Sequence, residues 1–159
     1  MNRMPELKKN EIKRLTKKAI ATAFRAQGCT SATKSAGAVD YLSIGIKGTH
    51  QKCAAVYGAR GMGGSIWIKA GAFALCKKAL KKSGTKVEDV SFFRRGFQWA
   101  VYIKDFDDPN IEVVVNACVE HGMERWTHYK AKEADEKARK KAAAVRDKAM
   151  SKRRKDPWA

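Results

Sequence analysis

The sequence predicts an α+β fold: a small antiparallel sheet of three to four strands packed by about three helices, with a basic helical C-terminal extension. Three observations point there. Apolar residues recur at helical spacing in separate stretches of the chain. Between those stretches, residues 39–47 and 92–104 alternate from one side chain to the next, the period of a half-buried strand. From Lys130 onward helix-forming residues persist while the apolar face disappears. The predicted division is a single α+β domain over residues 1–129 and a basic tail over 130–159.

The elements follow in order. Pro5 and Glu6 open a helix running to about Gln27, with Ile12, Leu15, Ala19, Ile20 and Ala23 on its apolar side and Gly28 as its stop. Residues 29–38, CTSATKSAGA, are small and polar and read as a loop. Val39 to Lys47 reads as a strand with Leu42, Ile44 and Ile46 on one face and Tyr41 and Ser43 on the other. Gly48-Thr49 turns the chain, and Cys53–Tyr57 and Ile66–Ile68 are weaker strands separated by the glycine-rich loop GARGMGG. A second helix spans Ala70 to Ser83, with Phe73, Cys76 and Leu80 inward and Gly84 ending it. Phe92 to Lys104 reads as one long strand, with Phe93, Arg95, Phe97, Trp99, Val101 and Ile103 sharing a face. Asp108 as N-cap and Pro109 at the first helical position start a third helix, which Gly122 interrupts. Residues 130–159 read as a solvated helical extension ending in disorder.

Charge bounds the function. Thirty-four Lys and Arg face sixteen Asp and Glu, a formal net charge of +18. The tail carries a net +7 and residues 1–129 a net +11, so the folded part is basic in its own right. Such a field concentrates polyanions and speeds their encounter, which points to nucleic acid (RNA or DNA). No apolar run is long enough for a membrane span, and the tail lacks the bulky apolar face of a membrane-surface helix. Cys29, Cys53, Cys76 and Cys118 are scattered, and no secretory signal opens the chain, so they read as reduced thiols of a cytoplasmic protein.

Four constellations are candidates for chemistry. Arg94-Arg95-Gly96-Phe97-Gln98-Trp99-Ala100-Val101-Tyr102 resembles the RNP1 strand of the RNA-recognition motif. That resemblance implies Arg95 on phosphate and Phe97 and Trp99 stacked on bases, with residues 125–130, RWTHYK, supplying a last strand. Packing logic reads the same stretch as a plain core strand, because the face bearing Phe97, Trp99, Val101 and Ile103 is the more apolar one. In GARGMGG, backbone N–H groups and Arg60 would suit phosphate, although no Gly-Lys-Ser/Thr follows to make a P-loop. His50/Cys53 and Cys118/His121 have zinc-ligand spacing, but Cys118 sits in an apolar run that reads as core. Asp105, Asp107 and Asp108 cluster as a nuclease would require, yet Asp108 already serves as a helix cap. The reading is therefore non-enzymatic, with no metal and no cofactor.

The function so predicted is a small basic nucleic-acid-binding protein that works mainly through phosphate contacts with low sequence specificity. Lys8, Lys9, Lys13, Lys17, Arg60, Lys77, Lys78, Lys81, Arg94, Arg95, Lys140, Lys141, Arg153 and Arg154 would supply the charge. Tyr41, Tyr102, Trp126 and Arg60 are the candidates to stack on unpaired bases. The alternative is a protein-interaction module whose basic tail grips an acidic protein partner.

Overall fold

The computed structural model of the chain describes residues 8–37, 39–49, 51–59, 62–85, 92–96 and 98–155. Among these residues three helices and six strands follow one another as α1 (Lys9–Ala26), β1 (Cys29–Ala36), β2 (Val39–Ile46), β3 (Lys52–Ala59), β4 (Met62–Lys69), α2 (Ala70–Lys82), β5 (Phe92–Arg95), β6 (Gln98–Ile103) and α3 (Asn110–Lys155). All strands join one antiparallel sheet in the order β1-β2-β3-β4-β6-β5. The α+β class stands, but the sheet has six strands where the sequence suggested three or four.

The two added strands have separate physical causes. The sequence reads β1 as a loop because its residues are small and polar with no apolar alternation, and among its described side chains only Cys29 is buried. It is an edge strand that pairs with β2 along its whole length, from Cys29↔Ile46 to Ala36↔Val39, so backbone hydrogen bonding rather than side-chain burial holds it. The other comes from the expected long strand 92–104, which breaks into a hairpin. Arg95 pairs with Gln98, and Gly96 between them adopts φ +64°, a left-handed conformation that glycine reaches without steric cost. The reversal changes the faces: Phe92 pairs with Val101 and Phe93 with Ala100, so Phe93 lies opposite to where continuous alternation puts it. The expected glycine-rich loop is shorter than its composition suggests. Gly58 and Ala59 belong to β3 and Met62, Gly63 and Gly64 to β4, leaving only Arg60 and Gly61 between them, outside the described residues.

One face of the sheet meets the helices. Leu42, Ile44, Ile46, Val56, Ile66, Ile68, Val101 and Ile103 form the sheet side of the core. Against them pack Ile20 and Phe24 of α1, Ala72, Phe73, Cys76 and Leu80 of α2, and Ile111, Val114, Val115 and Cys118 of α3. The buried stripe of α1 is Thr16, Ile20, Ala21 and Phe24, turned from the expected one so that Ile12 and Leu15 are only partly covered. Thr16 lies under Gly63 and Gly64, where a Cβ on Gly63 would run into its side chain and into the Lys104 carbonyl. Its hydroxyl is satisfied by donating to the Ile12 carbonyl at 2.6 Å.

The helix ends follow their chemistry. After α2, Gly84 at φ +82° lets its own N–H reach the Lys81 carbonyl and the Thr85 N–H reach the Leu80 carbonyl, both orphaned by the helix end. Before α3, the Asp108 carboxylate accepts from the Asn110 N–H at 2.9 Å and the Lys104 N–H at 3.0 Å, so the expected cap is present. Gly122 does not interrupt α3. The helix continues through it, and the expected last strand at 125–130 is helical. At Gly122 the Ile46 side chain and the Cys53 Cβ press against the helix, so that a Cβ there would push the Ile46 δ-methyl aside. The chain divides into two units, residues 1–124 and 125–159. In the second, α3 is solvent-exposed and braced along its own surface by Lys130–Glu133, Lys137–Glu133 and Arg139–Asp135 pairs.

Candidate functional site

Within the first unit the helices lie on one side, the described residues leave the other face of the sheet open, and the strand registers fix what it presents. Tyr41 sits beside Tyr57, because Leu42 pairs with Val56 and Ser43 with Ala55. Tyr57 pairs with Ser65, and Ser65 with Tyr102. A row of Tyr41, Tyr57, Ser65 and Tyr102 therefore crosses β2, β3, β4 and β6. The neighbouring row holds Ser43, Ala55, Trp67, Ala100 and Phe93. Large rings alternate with serine and alanine, so the rings rise as walls and the small side chains form a floor. The result is an open groove of about 950 Å³ lined by Tyr41, Tyr57, Trp67 and Tyr102.

The rings are ordered among themselves. Tyr41 and Tyr57 stack with centroids 4.9 Å apart and planes at 17°. Trp67 meets Tyr57 edge-on at 5.8 Å and 68°. These are favourable offset and edge-to-face geometries, so the rings hold one another in place. All four rings remain half-buried and keep exposed surface.

Lysines edge the groove. Lys52 reaches it through a β-bulge: Ile44 pairs with Ala54 and Gly45 with Lys52, leaving Cys53 as the extra residue of β3. The bulge reverses the alternation, sending Cys53 into the core and Lys52 to the open face. Lys34 stands opposite Tyr41 on β1, and Lys69 opposite Gln98 at the end of β4. The close approach of the Lys34 amine and its charge lower the Lys52 ammonium below its ordinary value. No Asp or Glu is among the described lining residues. The open face is thus aromatic in the middle and cationic at its rim.

Of the residues expected from the sequence to bind phosphate, most of the described ones lie outside the groove, while Arg95 pairs with Gln98 at its border. Lys8, Lys9, Lys13 and Lys17 belong to the start of α1, and Lys77, Lys78 and Lys81 to α2, both on the covered side of the sheet. The Lys77 ammonium sits 4.5 Å over the Phe73 ring. Arg94 donates to the Gly96 carbonyl across the β5–β6 reversal at 3.3 Å. Arg95 ends β5, and Lys140, Lys141, Arg153 and Arg154 lie along the distal part of α3. Arg60, Phe97 and His50 fall outside the described residues, as do the side chains of Arg95 and Arg154.

Of the ring candidates, Tyr41 and Tyr102 come together in the groove, whereas Trp126 lies in the second unit, stacked on Tyr129 at 5.7 Å with Lys130 over its ring. Trp99, which the RNP1 resemblance aims at a base, faces the helices instead, stacked on Phe73 at 3.9 Å and 6°. The resemblance fails because its strand turns back at Gly96. Sequence reasoning missed Tyr57, Trp67, Lys34 and Lys52. A signal for Trp67 was present: a residue between Ile66 and Ile68 in a strand must face away from the core those two enter.

The cysteines do not offer a reactive site. All four are free and buried. Burial raises the Cys29, Cys53 and Cys118 thiols above their ordinary value and pushes Cys76 up to about 11. Among the described residues, no group of three His, Cys, Asp or Glu side chains is placed to hold a metal ion, and no helix is long and apolar enough to cross a membrane. Comparison with protein-family models, curated proteins and solved structures finds no match to this chain.

Proposed function

We propose that this is a non-enzymatic nucleic-acid-binding protein that holds its partner mainly through phosphate contacts. The observation that carries the reading is the open sheet face, whose ring-lined groove is edged by Lys34, Lys52 and Lys69 and has no acid among its described lining residues. A phosphate between Lys34 and Lys52 relieves their mutual repulsion, so the site is electrostatically prepared for an anion. The lysines of α1 and α2 contribute to the overall field of a chain with net charge +18, which draws a polyanion in and weakens with salt.

The test is the salt dependence of oligonucleotide binding by the full chain and by a Lys34→Gln/Lys52→Gln variant. Loss of two phosphate contacts flattens the slope of log K against log salt by about 1.4 for a single strand and about 1.8 for a duplex. An unchanged slope would remove the open face from the binding surface. The second reading, an acidic protein partner, is favoured by α3, which continues as a regular helix to Lys155 and exposes Lys140, Lys141 and Arg153. Nucleic acid that failed to displace such a protein from the chain would put this reading first.

A further inference from the structure

We propose that the open face of the sheet binds nucleic acid as a single strand, with unpaired bases stacked on Tyr41, Tyr57, Trp67 and Tyr102 and the backbone phosphates on Lys34 and Lys52. The inference rests on the nucleic-acid reading above and adds the strand type.

The geometry favours an unpaired strand for three reasons. First, the rings lie in the face of a sheet, spread over four adjacent strands and hence over about 14 Å, three strand spacings. A platform of that kind takes the flat faces of bases, and those faces are hidden inside a duplex. Second, the floor between the rings is Ser43, Ala55 and Ser65, small enough to let a base settle against the walls. Third, the face also exposes apolar surface at Val39 (52%) and Phe93 (52%), which a base can cover and a hydrated phosphate backbone cannot.

Charge selects this occupant over the other candidate, a second copy of the chain. Face-to-face pairing of two copies would set Lys34 and Lys52 of one against those of the other, with a net charge of +18 on each side. A polyanion with π-faces matches both the rim and the middle of the groove.

The experiment is fluorescence anisotropy of the full chain with labelled oligo-uridine, oligo-deoxythymidine and a mixed-sequence duplex, each about twelve units long to fit a site of this class. Single strands are expected to bind about tenfold or more tighter than the duplex, with the RNA and DNA arms reporting which backbone is preferred. Tyr57→Ala and Tyr102→Ala should each weaken single-strand binding by about 5- to 150-fold and leave duplex binding unchanged. Tyr57→Phe keeps the ring and should bind as the parent does, which separates stacking from loss of fold. Equal affinity for both strand types, with the alanine variants unchanged, would overturn the inference while leaving the nucleic-acid reading intact. Binding no stronger than that of polylysine would overturn both. A dimer in sedimentation analysis that Tyr57→Ala dissolves would show that a second copy covers the face, and would also overturn the inference.

Discussion

Gly96 is one atom short of an alanine, and that missing Cβ decides how residues 92–103 are read. At φ +64° it lets the chain reverse between Arg95 and Gln98. An L-residue there pays about 1–2 kcal/mol for the left-handed conformation. Gly96→Ala is therefore expected to destabilise the fold by about that amount, seen as a lower urea midpoint with an unchanged slope. No stabilisation would follow from alanine's better propensity, as it would if residues 92–104 were one straight strand. At this scale the ring side chains divide in two. Tyr41 and Tyr102 were legible because each shares a strand with obvious core residues. Tyr57 was not, because its strand reads C-A-A-V-Y, where small residues obscure which side is buried. One of them, Ala55, is part of the groove floor, whereas Cys53 and Ala54 face the core.

Among the elements, β1 and α3 depart furthest from expectation, for opposite reasons. β1 has almost nothing to bury and exists through pairing with β2, a contact that local composition does not report. α3 was expected to stop at Gly122, since glycine disfavours a helix interior. Tertiary packing reverses that inference: Ile46 and Cys53 approach so closely that any larger residue must displace the Ile46 side chain. Gly122→Ala is the diagnostic substitution. A gain in helix propensity would stabilise by about 1 kcal/mol, but overpacking against Ile46 costs about 1–3 kcal/mol. The expected outcome is a net loss, a thermal midpoint lower by a few degrees. A rise would mean that the Ile46 side chain turns aside at little cost. The bulge that frees Cys53 from register acts at the same scale, since it carries Lys52 to the open face.

Over the whole molecule, the buried thiols link stability to pH. Burial raises all four above the ordinary thiol value of 9.0. The folded chain thus keeps protons that the unfolded chain releases, so stability is full below that value and falls as pH rises through it. Urea unfolding is expected to be insensitive to these groups near pH 7 and to show a lower midpoint near pH 10. Cys76→Ala should lose part of that fall, because the Cys76 thiol, pushed up to about 11, is then absent. An equal fall in the variant would assign the effect to other groups.

The sequence by itself determined the α+β class, the two shorter helices, the Asp108 cap, the strand bearing Tyr41 and the basic character of the chain. Each of these rests on local periodicity, local capping chemistry or a sum over residues. Only the tertiary structure decided that the sheet has six strands, that Gly122 lies inside a helix, and that Tyr41, Tyr57, Trp67 and Tyr102 share one uncovered face with Lys34 and Lys52. Register and face are set by pairing between residues distant in the chain, and a single bulge or a single reversal exchanges the two sides of a strand. The charge could be counted in advance. Where it gathers depends on which face the helices leave open.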